Sequence, residues 1–221
     1  LIDLPTPLHP NTNGRTRPRE WTIPRPEGPL PLALGPLESV RLEVVQTPQG
    51  AGWYRALMRQ HHYLGAKPMA GAQLRYLIWS GNWLLGGLGF GAAAWMMAAR
   101  DRWIGWSASQ RERRLEWIVN NSRFLLLPWV QCPNLGSWIL GRVAGQLPQD
   151  WHHRYGYRPV LLESFVEEAR FRGTCYQAAN WLCLGQTKGR GKLEKNHAPV
   201  LPIKRLFVRP LRPDFRDILC R

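Results

Sequence analysis

The sequence lacks a hydrophobic run long enough to cross a membrane. The nearest approach, residues 83–99, is interrupted by glycines, whereas a spanning helix needs about 20 apolar residues in succession. The N-terminus also lacks the basic, apolar and small-residue order of a secretory signal peptide, and it begins with Leu1 rather than Met, as a fragment or a trimmed chain does. These absences predict a cytoplasmic protein with no membrane partner.

Cysteine is scarce, and acidic residues are outnumbered by basic ones. The four cysteines form no C-x-x-C pair of the kind that holds zinc, so we interpret them as free thiols. The chain has 15 Asp or Glu against 30 Lys or Arg, which gives a formal net charge of +15 and a pI near 10.7. Such an excess favours a polyanionic partner, and DNA is the partner that it predicts.

The basic charge is concentrated near the C-terminus. Residues 186–221 contain ten Lys or Arg and only three Asp or Glu. We predict five phosphate contacts in and just before this region: Arg170, Arg172, Lys188, Arg190 and Lys192. The last three alternate with glycines, and a flexible basic loop of this kind can follow a phosphate backbone.

A proline- and arginine-rich arm precedes the rest of the chain. Residues 1–37 hold nine of the 19 prolines, and proline fixes φ and removes a backbone donor, so an extended arm is expected. The arm either tracks DNA or links the chain to another module. The remaining residues, 38–221, are enough for one core, and we predict a single domain there with a basic C-terminal tail.

Hydrophobic periodicity and turn residues predict an alternation of strands and helices. The predicted order is strand 39–47, helix 50–64, strands 74–80 and 82–97 joined by a tight turn at 80–82, helix 107–120, strand 124–130, helix 138–147, strand 159–166, helix 173–184 and strand 202–210. Asn134 is the predicted N-cap of the third helix.

This order resembles the GNAT acyltransferase fold, an α/β (α+β) architecture with a mixed, mostly antiparallel sheet flanked by helices. The resemblance implies that the fourth strand of that fold splays from the fifth, and that the loop after it cradles a pyrophosphate at a helix N-terminus. Here the loop contains Cys-Pro-Asn-Leu-Gly-Ser, without the Lys or Arg of acyltransferases. Acyl-CoA-dependent acyl transfer is therefore an alternative function, not the first prediction.

Six longer motifs point to a particular family. They are HHYLG at 61–65, ARDRWIGW at 99–106, NNSRFLLLPWV at 120–130, NLGSWIL at 134–140, RYGYRPVLLESFVE at 154–167 and FRGTCYQAANWLCLGQTKGRGK at 171–192. In sequence and order they resemble the DruA-like domain, which occurs in the Druantia anti-phage system and beside some transposases. The resemblance implies a role in phage defence or transposition, with a helicase or transposase as a candidate protein partner. It implies no particular reaction, and a pure scaffold remains an alternative.

Three titratable residues form a candidate catalytic group. Glu163 lies in an otherwise apolar strand, where burial costs several kcal/mol unless the carboxylate is paired or protonated, and this favours a raised pKa. Alternatively, its side chain faces solvent or an arginine such as Arg158 or Arg170. Asp101 lies between two arginines, and His62 is either a general base, a nucleic-acid contact or a helix cap. If the fold brings Glu163, Asp101 and His62 together, they suit a DNA-cleaving or base-excising enzyme, with a divalent metal as its candidate cofactor.

Tryptophan is abundant, with 12 residues. Several lie beside an arginine, a histidine or a loop: Trp21, Trp103, Trp106, Trp151 and Trp181. Rings next to cations suit stacking on unpaired bases. We assign this role to Trp106 and Trp181, with packing in the core as the alternative.

Overall fold

The computed structural model describes residues 21–28, 30–31, 39–189 and 201–221. The strands are β1 (Leu30–Pro31), β2 (Val40–Val44), β3 (Leu74–Ser80), β4 (Trp83–Ala92), β5 (Ile118–Leu126), β6 (Val130–Gln131), β7 (Leu161–Glu167), β8 (Leu182–Gln186) and β9 (Lys204–Pro210). The α-helices are α1 (Pro48–His61), α2 (Ala98–Ile104), α3 (Ala108–Arg114), α4 (Leu135–Tyr155), α5 (Thr174–Ala178) and α6 (Phe215–Leu219).

Seven of the strands form one mixed sheet. Their spatial order is β2-β3-β4-β5-β7-β9-β8, and β1 and β6 form a separate two-residue parallel pair. Every neighbouring pair in the large sheet is antiparallel except β5 and β7. Helices cover both faces, so the predicted fold class, a mostly antiparallel GNAT-like sheet flanked by helices, is confirmed.

The two parallel strands stay together for only a short distance. They are paired from Ile118 opposite Leu161 to Asn120 opposite Glu163, and beyond these three pairs they separate. Because both strands run in the same direction, their carboxyl ends diverge and leave a cleft. Along residues 121–126 and 164–167 the two facing edges make no ladder hydrogen bonds to each other.

Successive side chains along a strand point to opposite faces of the sheet. Leu162 packs on one face in the core cluster that contains Ile139 of α4, whereas Leu161 packs on the other face with Ile104 of α2. Leu57 of α1 packs over another part of the sheet with the side chains of β3 and β4. The helix α4 therefore covers one face, and α1 and α2 cover the opposite face.

Two predicted helices are shorter than expected. The helix predicted at 107–120 ends at Arg114, and after a 3₁₀ turn β5 already begins at Ile118. The helix predicted at 173–184 ends at Ala178, and the chain then forms β8. Asn180 adopts a left-handed conformation with φ of 60°, which breaks the helix, and hydrogen bonding to β9 extends the residues that follow.

The helix α4 is longer than predicted, with 21 residues and Pro148 inside it. Asn134 is its N-cap residue, as predicted, but it has φ of 62° and its side chain makes no capping hydrogen bond. The turn predicted between β3 and β4 is present, with Gly81 at φ of 54°. Within the described part of the chain, every helix is too short or too polar to cross a bilayer.

Candidate functional site at the separation of strands β5 and β7

A cleft of about 400 Å³ lies where β5 and β7 separate. Four segments line it: residues 61–63 at the end of α1, β5 beyond Asn120, residues 164–167 of β7 and residues 171–176. The cleft therefore depends on the three-pair limit of the parallel ladder, which leaves the carboxyl halves of both strands apart.

A buried polar network forms one wall of the cleft. The Tyr176 hydroxyl donates to Oδ1 of Asn121 (2.7 Å), and Oγ of Ser164 lies 3.0 Å from the Asn121 carbonyl oxygen and 3.1 Å from the Tyr176 hydroxyl oxygen. Burial raises the pKa of Tyr176, so its hydroxyl stays protonated. Burial likewise raises the pKa of the Cys175 thiol beside it, which disfavours a thiolate nucleophile. These groups position the wall and can hydrogen-bond a ligand.

His62 lies in the wall of the cleft and also caps α1. Its Nδ1 accepts a hydrogen bond from the backbone N–H of Leu64 (3.2 Å). Burial, assisted by the nearby Arg123 guanidinium, lowers the pKa of His62 from 6.5 to about 4, so the ring is neutral at pH 7. A neutral ring whose Nδ1 accepts carries its proton on Nε2. In this arrangement Nδ1 of His62 accepts at the helix end, and its Nε2–H is a hydrogen-bond donor.

Exposed aromatic rings and cations alternate at the mouth of the cleft. Tyr63 and Phe171 are 39% and 48% exposed, and their ring centroids are 5.4 Å apart. The Arg170 guanidinium lies 5.3 Å from the centroid of Tyr63, and Nε of Arg170 pairs with Oε1 of Glu167 (2.8 Å). Arg172 is exposed and lines the cleft. We call Tyr63, Phe171, Arg170 and Arg172 the rim.

Lys188 follows β8 and is exposed. Since β7 and β8 both run antiparallel to β9, Lys188 lies at the end of the sheet where the cleft opens. The backbone N–H of Leu201 donates to the Gly189 carbonyl (2.8 Å). Of the five predicted phosphate contacts, Arg170, Arg172 and Lys188 are described, and Arg190 and Lys192 lie outside the described residues.

The three predicted catalytic residues do not form one group. Glu163 and Asp101 meet on Arg100: Nη1 of Arg100 donates to Glu163 (2.8 Å), and Nε and Nη2 donate to Asp101 (3.0 and 2.8 Å). His62 lines the cleft, which neither carboxylate does. Among the residues that the structure covers, no three His, Cys, Asp or Glu side chains converge to hold a metal ion. The expected joint site of Glu163, Asp101 and His62 is therefore corrected.

The Glu163 carboxylate is buried and held by hydrogen bonds within the fold. Its second oxygen accepts from the Ala94 N–H (2.7 Å), and the side chains of Glu163 and Arg100 are fully buried. Burial raises the pKa of Glu163 against the opposing influence of Arg100 and the Ala94 amide. Glu163 thus ties the segment between β4 and α2 onto β7, and its burial leaves no access for a substrate.

The assignment of two tryptophans to base stacking is also corrected. Trp106 is only 8% exposed and packs against Arg100, and Trp181 is only 3% exposed and packs edge-on against Tyr176. Their rings complete the core because both follow helix ends that fold back onto the sheet. The exposed aromatic rings that line the cleft are Tyr63 and Phe171, which the sequence reasoning missed. The sequence contains a signal for them, because each ring is next to a His or an Arg in one of the six motifs.

The sheet order, the splayed parallel strands and the cleft define a protein with the GNAT acyltransferase fold. An aminoglycoside acetyltransferase AAC(6′)-Ib in complex with coenzyme A is similar, with a TM-score of 0.51 and 13% identity over 78% of this chain and 95% of that chain. A spermidine N-acetyltransferase from Vibrio cholerae has a TM-score of 0.48 and 9% identity over 79% of this chain and 95% of that one. At these identities the likeness concerns the fold alone.

The match to a protein family is more specific than the likeness in fold. The family described as Druantia protein DruA matches residues 33–219, and the chain belongs to this family. The match supports a role in phage defence. No protein with a curated description matches the sequence.

Proposed function

We propose that this DruA-family protein contributes to phage defence by binding unpaired DNA at the rim of the cleft. The observation that carries the proposal is the alternation of exposed rings and cations there. Tyr63 and Phe171 leave a large part of their rings exposed, Arg170 lies over Tyr63, and Arg172 stands next in the chain to Phe171.

Unpaired DNA has the chemistry that this arrangement fits. Bases stack on aromatic rings whatever their sequence, and Arg or Lys side chains follow the backbone phosphates. A duplex buries the faces of its bases in its own stack, so the two rings would contribute to binding a single strand and not a double strand. Lys188, at the same end of the sheet, extends the cationic surface, and the net charge of +15 favours association over a wider range.

The test is binding of a fluorescent single-stranded oligothymidine, measured by anisotropy, to the double variant Tyr63→Ala/Phe171→Ala. We expect a loss of about 1–3 kcal/mol of binding free energy per ring, with little change in duplex binding. Trp95→Ala is the matched control, because Trp95 is 51% exposed beside Arg111 and follows β4 at the opposite end of the sheet.

The salt dependence of DNA binding distinguishes the contribution of the cations from that of the aromatic rings. Arg172→Gln/Lys188→Gln should lower the log-log salt slope by about 0.7 for each phosphate that the variant no longer neutralises, whereas the ring variant should leave the slope unchanged. An equal loss of affinity in Trp95→Ala, or wild-type affinity in the ring variant, would contradict the proposal.

A second candidate is acyl-CoA-dependent acyl transfer, which the cleft between the splayed strands favours. Against it, residues 127–134 before α4 contain no Lys or Arg to meet a pyrophosphate. Calorimetric titration with acetyl-CoA decides between the two, since saturable binding that survives Tyr63→Ala/Phe171→Ala would favour the acyltransferase.

A further inference from the structure

A second cavity, of about 200 Å³, lies on the sheet face that α1 covers. Its floor is a row of cross-strand neighbours: Arg75 of β3 is opposite Gly89 of β4, which is opposite Arg123 of β5. Gly89 leaves room above the middle strand, and a Cβ there would collide with the hydroxyl of Tyr54 from α1. The glycine therefore allows Tyr54 to lie between two arginines.

Four cations line this cavity, and no carboxylate of the described residues does. Arg55 of α1 and Lys67 of the following loop join Arg75 and Arg123 in the lining. Arg123 donates to the carbonyl oxygens of Ser122 (2.8 Å) and Lys67 (3.4 Å), and the Arg75 guanidinium lies 5.8 Å from the ring centroid of Tyr54. Among residues 21–28, 30–31, 39–189 and 201–221, none of the four cations forms an ion pair.

Such a cluster is not what folding alone produces. Like charges that share one cavity repel one another, whereas other arginines of this chain, such as Arg100 and Arg205, are paired with carboxylates. A bound anion would neutralise the cluster. The concentration of positive charge on a small volume favours an anion with more than one negative charge.

The Tyr54 hydroxyl provides an independent indication of a ligand. Tyr54 is 6% exposed, and within the described part of the chain its buried hydroxyl has no hydrogen-bond partner. Buried polar groups are rarely left without a partner unless a water molecule, an ion or a ligand satisfies them. The hydroxyl belongs to a residue of the cavity lining, so a phosphate oxygen there would accept its proton in a hydrogen bond.

We propose that this cavity binds a terminal phosphoryl or pyrophosphoryl group, with Arg55, Lys67, Arg75 and Arg123 as the cations and Tyr54 as a hydrogen-bond donor. A terminal phosphate carries nearly two charges near neutral pH, and a pyrophosphate carries more, whereas each phosphodiester of a DNA strand carries one. Free nucleotides and the 5′ end of DNA both present this chemistry. The site is distinct from the rim and does not depend on the rim binding DNA.

The test is isothermal titration of the full chain with pyrophosphate, and with a short oligonucleotide that carries either a 5′-phosphate or a 5′-hydroxyl. Saturable binding of pyrophosphate alone identifies a free nucleotide as the source, and a preference for the 5′-phosphorylated strand identifies a DNA end. Arg75→Gln/Arg123→Gln should abolish either signal. The control is Arg142→Gln/Arg158→Gln, which removes the same charge from α4 and the residues after it, on the opposite face.

Tyr54→Phe is the second variant, and it removes only the hydroxyl. We expect it to weaken phosphate binding by about tenfold and to leave the unfolding midpoint of the free protein unchanged or higher, because a buried unpartnered group is lost. A hydroxyl with a structural role would lower the midpoint and leave binding unchanged. The proposal is overturned by that result, or by the absence of saturable pyrophosphate binding together with equal binding of the two oligonucleotides.

Discussion

Two groups of arginines in this protein have opposite surroundings. Arg100 is fully buried between Glu163 and Asp101, and Nε, Nη1 and Nη2 all donate to oxygen atoms. Arg75 and Arg123 lie two strands apart beside a cavity that no carboxylate lines, as far as the structure describes the chain. In the first group the charge of the arginine is paired with carboxylates of the chain. In the second group no carboxylate of the described residues pairs with the arginines.

The comparison shows how to separate structural charge from functional charge in a basic protein. A buried ion pair holds elements together, and removing one partner exposes the full cost of the other. An unpaired cluster contributes little to folding, and the proposed anion would neutralise its charge. On this basis Glu163, the carboxylate predicted as catalytic, belongs to the scaffold, and Arg75 and Arg123 are cations of the proposed anion site.

The largest effect is expected from Glu163→Ala. The substitution leaves Arg100 buried without its fully buried partner and with only Asp101 as a carboxylate neighbour, which should lower the free energy of unfolding by about 3–5 kcal/mol. Urea denaturation followed by tryptophan fluorescence measures this loss.

The matched control is Asp214→Ala, which removes the partner of Arg212 in an exposed ion pair. We expect no measurable change there, because solvent screens exposed pairs. Equal losses in the two variants would remove the distinction between buried and exposed charge.

A smaller effect, of the opposite sign, is expected from Arg75→Gln/Arg123→Gln. Relief of repulsion between charges about 10 Å apart is worth on the order of 0.5 kcal/mol in water, so the free energy of unfolding should stay unchanged or rise slightly. The same denaturation measurement applies. A loss as large as that of Glu163→Ala would assign these arginines to the scaffold and erase the contrast.

The smallest effect is expected on the pKa of His62, which the positive charge of Arg123 lowers. In Arg123→Gln the pKa of His62 should rise from about 4 but remain below 6.5, because burial is the larger cause of its depression. Histidine NMR titration measures this, and Arg142→Gln should leave the value unchanged. Since the folded-state pKa lies below the unfolded one, the contribution of His62 to stability is complete above pH 6.5 and declines as the pH falls towards 4.

Much of the fold could be predicted because local signals and the fold agree. The tight turn at Gly81 joins two neighbouring strands, and the apolar run around Leu161 and Leu162 forms a central strand. The residues after Ala178 were harder to assign, because Tyr176, Ala179 and Cys183 have helical spacing. Pairing with β9, about 20 residues later in the chain, decides that β8 is a strand, and a local pattern does not contain that information.

The candidate sites were predicted less well for the same reason. Glu163 was correctly singled out as a carboxylate in an apolar strand, but its partner Arg100 comes from a distant helix. The cavity residues Arg55, Arg75 and Arg123 belong to three different elements, and only the register across Gly89 brings the last two together. Charge counts show that the chain is basic, but they do not show which cations share a cavity.

The three-pair ladder between β5 and β7 divides the sheet into two ribbons, one of four strands and one of three. Few backbone hydrogen bonds join the ribbons, so the angle between them depends mainly on the helices packed across their seam. Substitutions in those helices can widen or narrow the gap while both ribbons keep their internal ladders. The width of the cleft can therefore change without a rearrangement of the strands within either ribbon.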